Sequence, residues 1–157
     1  MLHRRAVFAV IASLALAACG DRGAKKNLDE GAAFLAKNRT LPDVHSTPSG
    51  LQYRIVRSGP PGGLRPKPAD EVKVHYEGKL IDGAVFDSSI KRGLPAEFPL
   101  NGVVPCWTEA LQKMKKGEKA QVVCPSAMAY GDRGSPPAIP AGATLSFEVE
   151  LLDFHKP

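Results

Sequence analysis

Val103-Val104-Pro105-Cys106-Trp107-Thr108-Glu109-Ala110-Leu111 carries the sole tryptophan of this 157-residue chain, and its reading decides the fold. Pro105 suits the first turn of a helix, where its missing N–H leaves no bond unmade. Trp107, Ala110, Leu111 and Met114 then fall at i, i+3, i+4 and i+7, a single apolar stripe. Lys113, Lys115 and Lys116 stand at the end that favours cations, and Gly117 is expected to close the helix as its C′ residue. Strands surround it. Residues 51–56 alternate, and 71–80 alternate more fully, with Val72, Val74, Tyr76 and Gly78 on one face and Lys73, His75, Glu77 and Lys79 on the other. Asp82-Gly83 marks a tight hairpin turn from which Val85-Phe86-Asp87 returns. Residues 119–124 and 144–154 read as two more strands, and 59–69, rich in proline, as a loop. One short helix against antiparallel strands predicts an α+β domain with the helix covering one sheet face.

Composition excludes several classes. A charged fraction of 24% and a hydrophobic fraction of 43% are ordinary for a globular domain. The net charge of +5 falls to +3 once Arg4 and Arg5 are set aside, and no basic stripe interleaves with aromatics, so nucleic acid is not an expected partner. The spacing of His, Cys, Asp and Glu suggests no metal site, and no cofactor is expected. Ser88 and Ser89 have no His and Asp to make a hydrolase triad, and His75 alternates opposite Tyr76 with no ligand spacing around it.

The N-terminus reads as a processing signal. A short basic run ends at Arg5, and residues 6–16 are apolar but too short to span a bilayer. Leu16-Ala17-Ala18-Cys19 resembles the bacterial lipobox, which implies a signal peptide over 1–18 and a diacylated Cys19 as the mature N-terminus. Several acyl chains anchor stably where one would be marginal. Gly20 follows Cys19 where an aspartate would argue for inner-membrane retention, so the expected location is the cell envelope, at the periplasmic face of the outer membrane. Residues 20–27 then read as a tether, 29–39 as a short helix and 41–48 as an extended linker, so that 19–48 is a lipidated tether and 49–157 the folded domain. A helix over 29–39 would measure about 16 Å, and a monomer is expected. Export leaves Cys106 and Cys124 in an oxidising compartment. They read as a disulfide, against the alternative of two inert buried thiols, and the sequence does not give their Cα separation.

Val74-His75-Tyr76-Glu77-Gly78, Phe86-Asp87-Ser88-Ser89, Val103-Val104-Pro105-Cys106-Trp107, Ala129-Tyr130-Gly131 and Ile139-Pro140 stand in order, with Leu145-Ser146-Phe147-Glu148-Val149-Glu150-Leu151-Leu152 after them. Together they resemble the FKBP-type peptidyl-prolyl cis-trans isomerases, in particular the bacterial macrophage infectivity potentiator-like branch. The resemblance runs over about two thirds of the chain. It implies an antiparallel sheet of five to six strands curled around one short helix, with the active pocket between them. By the same resemblance Trp107 forms the pocket floor, and Tyr76, Phe86, Phe98, Val103, Val104, Tyr130, Ile139 and Phe147 line it. Asp87 is expected at the polar side, held by the Tyr76 hydroxyl and Arg92. The Val104 N–H and the Tyr130 hydroxyl are expected to bind substrate carbonyls, with Tyr76, Phe86, Asp87 and Tyr130 as the catalytic set. Cys106 departs from the glycine that many relatives carry before the tryptophan, and residues 131–138 lack the histidine and bulky aliphatics of the eukaryotic members. Expected partners are unfolded or partly folded proline-containing polypeptides, macrolide inhibitors of the family, and the membrane through the lipid. A non-catalytic peptide-binding or holdase module with the same pocket is the alternative.

Overall fold

In the computed structural model, residues 15–157 are described, and side chains from residue 22 onward. Most of the 1–18 signal segment, and the side chain of Cys19, therefore lie outside the described residues. Among those described, no helix is long and apolar enough to cross a membrane.

Seven antiparallel strands form one sheet: β1 (His45–Ser46), β2 (Gln52–Arg57), β3 (Glu71–Leu80), β4 (Val85–Ser88), β5 (Ala96–Pro99), β6 (Lys119–Cys124) and β7 (Leu145–His155). Their order is β1-β2-β6-β7-β3-β4, and β5 shares the outer edge of β3 with β4. The count exceeds the expected five to six because β1 and β5, of two and four residues, are too short to show a period. β3 keeps the expected alternation: Val72, Val74, Tyr76 and Gly78 are buried, and the residues between them are not. The hairpin after β3 turns at Asp82-Gly83, where Gly83 takes φ 92° and the Asp82 carboxylate accepts from Ala84 N–H.

The short helix α3 (Pro105–Lys113) packs into the core of the sheet and follows α1 (Ala15–Asn38) and the single turn α2 (Ser89–Arg92) in the chain. Cys106, Trp107, Ala110 and Leu111 of α3 are buried and meet Val74, Leu100, Leu145 and Leu151 in one core. Met114 is fully buried as expected, but it caps the helix by donating its N–H to Leu111 O. Gly117 is thus not the C′ residue. It sits in the following turn, donating to Leu151 O, and a methyl there would lie 2.8 Å from Pro60 Cδ.

α1 is the larger correction. It runs for 24 residues, about 36 Å at 1.5 Å per residue, so that it contains the helix expected over 29–39 up to Asn38 and extends it back through 20–27, the stretch expected to be a tether. Its outer face carries Lys25–Asp29 and Lys26–Glu30 pairs one turn apart. Its inner face touches the sheet: Asn38 Nδ2 donates to Gln52 Oε1 at 2.8 Å, and Gln52 Nε2 donates to Leu35 O at 3.0 Å.

Candidate active site

The gap on the outer edge of β3 creates the polar wall of the site. β5 pairs with residues 71–74 of β3 and β4 with residues 77–79, so the chain between them bulges away. Tyr76 N–H falls in that gap and is satisfied by Ser89 Oγ at 2.8 Å, the same oxygen that meets His75 Nδ1 at 3.0 Å. His75 is thereby engaged on the far side of the strand and does not line the cavity. Ser88 caps α2 by accepting from Lys91 N–H, and this one turn swings Arg92 back onto Asp87, five residues earlier.

Asp87 therefore has two partners. The Tyr76 hydroxyl donates to Asp87 Oδ2 at 2.5 Å, Arg92 Nη1 donates to Asp87 Oδ1, and Arg92 Nη2 also donates to the Tyr76 hydroxyl at 3.0 Å. Partial burial pushes the Asp87 carboxyl up, but the hydrogen bonds from Tyr76 and Arg92 and the guanidinium charge outweigh it. The net effect holds Asp87 below its ordinary value of 3.8. Burial, and then donation to the carboxylate, raise the Tyr76 hydroxyl above 10.0. The pair is thus a neutral phenol hydrogen-bonded to a fixed anion.

The rest of the site is apolar. Trp107, only 5% exposed, meets three rings edge-to-face: Tyr76 at 5.1 Å, Phe147 at 5.4 Å and Phe98 at 6.0 Å between centroids. Phe86 in turn stands edge-to-face on Phe147 at 5.6 Å. Such pairs each add about 0.5–1.5 kcal/mol beyond area burial, so the floor is rigid. Trp107 Nε1 is buried with no hydrogen-bond partner among the described residues, at a cost of about 1–3 kcal/mol for an unmade bond.

Above this floor is a cavity of about 420 Å³, within the range of small-ligand sites. Of the site residues expected from the sequence, it brings together Tyr76, Phe86, Asp87, Phe98, Val103 and Val104, with Trp107, Tyr130 and Phe147. Ile139 does not line it. That side chain is buried in the core, on a residue whose N–H and C=O both pair with Ser135. Arg92 stands behind Asp87 rather than in the lining.

Two donors on residues of the lining have no partner among the described residues. One is the N–H of Val104, whose extended backbone (φ −56°, ψ 146°) precedes α3. The other is the hydroxyl of Tyr130, a residue 41% exposed at the mouth. Sequence reasoning missed Gly102, which lines the cavity, and Gly78, which makes room for it. Gly102 gave only the turn signal of Asn101-Gly102, and Gly78 only its place in the alternation.

Cys106 and Cys124 are joined, with their Cα atoms 5.7 Å apart, inside the usual range for a bridge. The bond ties the second residue of α3, next to the tryptophan floor, to the end of β6.

The pattern described as FKBP-type peptidyl-prolyl cis-trans isomerase matches residues 62–152, more than half of the chain. The chain belongs to the FKBP-type peptidyl-prolyl cis-trans isomerase family. A second pattern, the domain amino-terminal to such isomerases, matches residues 6–55. The FKBP-type 22 kDa peptidyl-prolyl cis-trans isomerase of Escherichia coli is 52% identical over 124 residues, which is 79% of this chain and 59% of that protein. The outer membrane protein MIP of Legionella longbeachae is 43% identical over 136 residues, 87% of this chain and 58% of that protein. Among solved structures, Escherichia coli FkpA superposes with a TM-score of 0.85 at 42% identity, covering 89% of this chain and 64% of that one. A Pseudomonas syringae peptidyl-prolyl cis-trans isomerase gives 0.78 at 33% identity, covering 84% and 96%. The FKBP-like fold is therefore shared. The chain spans 50% to 59% of the length of three such curated relatives.

Proposed function

We propose that this FKBP-family chain isomerises X–Pro bonds in exported or envelope polypeptides while they are unfolded or partly folded. The observation that carries the reading is the ring-walled cavity over Trp107, with Asp87 fixed on one wall and two unpaired donors at its rim. An X–Pro bond turns over a barrier of ~18–20 kcal/mol because twisting removes amide resonance. Charge then flows from oxygen back to nitrogen, so the twisted imide is less polar than the planar one. A dry aromatic cavity favours it over the solvated ground state, which is differential binding.

In this reading the proline ring rests on Trp107 between Phe86, Phe98 and Phe147, and Val103 closes one side. Val104 N–H and the Tyr130 hydroxyl hold carbonyls either side of the turning bond. Asp87 presents an oriented charge to the carbonyl that rotates, and Tyr76 and Arg92 keep it ionised and still. Lowering the barrier by about 5 kcal/mol gives roughly several thousandfold acceleration. No nucleophile or cofactor enters. Macrolide inhibitors of the family would occupy the same cavity.

The proposal extends to targeting: a signal peptide over 1–18, a lipidated segment 19–48 anchored through Cys19, and an isomerase domain over 49–157. The name of the Legionella relative, an outer membrane protein, supports an envelope location, which the proposal sets at the periplasmic face of the outer membrane. The chain is proposed to be a monomer. α1 is longer than the helix expected over 29–39, but its inner face is already occupied by its own domain at Asn27, Gly31 and Asn38.

A proline-limited refolding assay with the full chain in detergent tests the activity. Acceleration that falls on Asp87→Ala and Tyr130→Phe is expected. Failure to accelerate at concentrations where the Escherichia coli relative acts would leave the holdase alternative. Intact mass of the membrane-extracted protein should show a diacylated Cys19 terminus, and a mass beginning at Met1 would defeat the anchor. Sedimentation in detergent reports the oligomeric state.

A further inference from the structure

α1 does more than pass near the domain. Asn27 Nδ2 donates to Ala141 O at 2.8 Å. Gly31 is buried, and a methyl there would lie 2.2 Å from Thr144 Oγ1. From the other side, a methyl at Gly142 would lie 2.7 Å from Ala24 O and 3.1 Å from Leu28 Cγ. The helix and the turn at residues 140–144 thus meet closely at two glycines, Gly31 against the Thr144 side chain and Gly142 against the Ala24 carbonyl, with no space for a side chain at either.

That turn is bonded to the loop carrying Tyr130. Gly142 N–H donates to Gly131 O at 2.9 Å, next to Tyr130 in the chain. Gly134 N–H donates to Tyr130 O at 3.1 Å, and a methyl on Gly134 would lie 2.4 Å from Ile139 O. Tyr130 itself is exposed at the cavity mouth, and its ring makes no aromatic pair among the described residues. Its position is therefore set by its backbone, and its backbone by the turn beneath.

We propose that α1 positions Tyr130: Asn27 and Gly31 act through the turn at residues 140–144 to hold the Tyr130 hydroxyl at the mouth of the cavity. The inference rests on the isomerase reading above. Asn27 and Gly31 are positioning residues and touch no substrate.

A double-mutant cycle on the full chain tests it, with kcat and KM measured on an X–Pro peptide. The wild type must catalyse, and Tyr130→Phe must slow it; if either fails, the isomerase reading falls first. Given both, Asn27→Ala should reduce kcat/KM by about 2- to 10-fold, the worth of one hydrogen bond. The same change made in Tyr130→Phe should cost nothing further. Gly31→Ala should act in the same way, and Thr144→Ala, which removes the clashing oxygen, should restore Gly31→Ala in part. Amide exchange at Gly142 and Gly134 should quicken in both single variants. Equal losses with and without the Tyr130→Phe change, or no loss in either background, would overturn the proposal. Where Gly31→Ala fails to fold, Asn27→Ala carries the cycle alone, since it removes one half-exposed hydrogen bond.

Discussion

Gly78→Ala adds one methyl group where the structure has no space for it. Gly78 stands on β3 between Asp87 of β4 and Phe147 of β7. The new carbon would lie 2.5 Å from Phe86 Cζ, 2.8 Å from Phe86 Cε2 and 2.9 Å from Phe147 Cε1. Carbon pairs rest at about 3.5–4.0 Å, so a ring must retreat by roughly 1 Å. Phe147 is buried and braced against Trp107, whereas Phe86 is half-buried at the cavity edge. Phe86 is the ring expected to move, and its edge-to-face contact with Phe147 is lost. Overpacking of this kind costs about 1–3 kcal/mol, a fall in Tm on the order of 2–12 °C for a chain of this size. Because Phe86 walls the site, KM for an X–Pro peptide should rise more than kcat falls. Thermal unfolding and peptide isomerisation read the two effects, and Phe86→Leu in the Gly78→Ala background should recover part of the lost Tm. A Gly78→Ala protein with unchanged Tm and unchanged kcat/KM would refute the reasoning, because the close approach of the two rings would then not constrain the wall.

Asp87 has a lower pKa folded than unfolded, so the unfolded chain takes up its proton first on acidification. Its stabilising contribution is complete above the unfolded value of about 4 and is lost as pH falls through the lower folded value. Asp87→Asn should therefore flatten the acid limb of a Tm-against-pH curve, and an unchanged limb would count against the pairing. Tyr76→Phe removes a hydrogen bond to the ionised carboxylate, so the Asp87 carboxyl should titrate at higher pH by carbon-detected NMR; no upward movement would mean that Arg92 alone holds it. Replacing Cys106 and Cys124 by alanine reopens a loop with sequence separation 18, which the chain-entropy relation values at about 3 kcal/mol. Urea unfolding should show that loss, and a difference within about 0.5 kcal/mol, the scatter of neutral surface changes, would rule out a structural bridge.

Much of the site was legible because its chemistry lies in contiguous runs. Residues 86–89 and 103–107 each carry side chains of distinct type, and β3 shows its two faces through its alternating positions, so the sheet and α3 could be placed from order and spacing, whereas the Asp87–Tyr76 wall came from the family resemblance that those runs carry. What stayed hidden works by other means. α1 was legible over 29–38, but its extension back through 15–28 was not, because docking there rests on Asn27, which is polar, and next to it on Gly31, without a side chain, which leave hydrophobic periodicity little to detect. Lys25 and Lys26 fell in the stretch that read as a tether, although their i,i+4 pairing with Asp29 and Glu30 favours helix. Gly117 resembled a helix stop because a turn glycine and a C′ glycine answer to the same positive φ, here 87°. Ile139 shows the limit from the opposite direction: the resemblance places it at the cavity wall, and its backbone pairing with Ser135 accompanies a side chain in the core. Gly78 and Gly31 matter through the atoms they lack, and only neighbours in space give an absent side chain its meaning. The residues that do the chemistry can therefore be found along the chain, whereas those that keep the cavity open and its rim in place become visible only when strands, helix and turn are brought together.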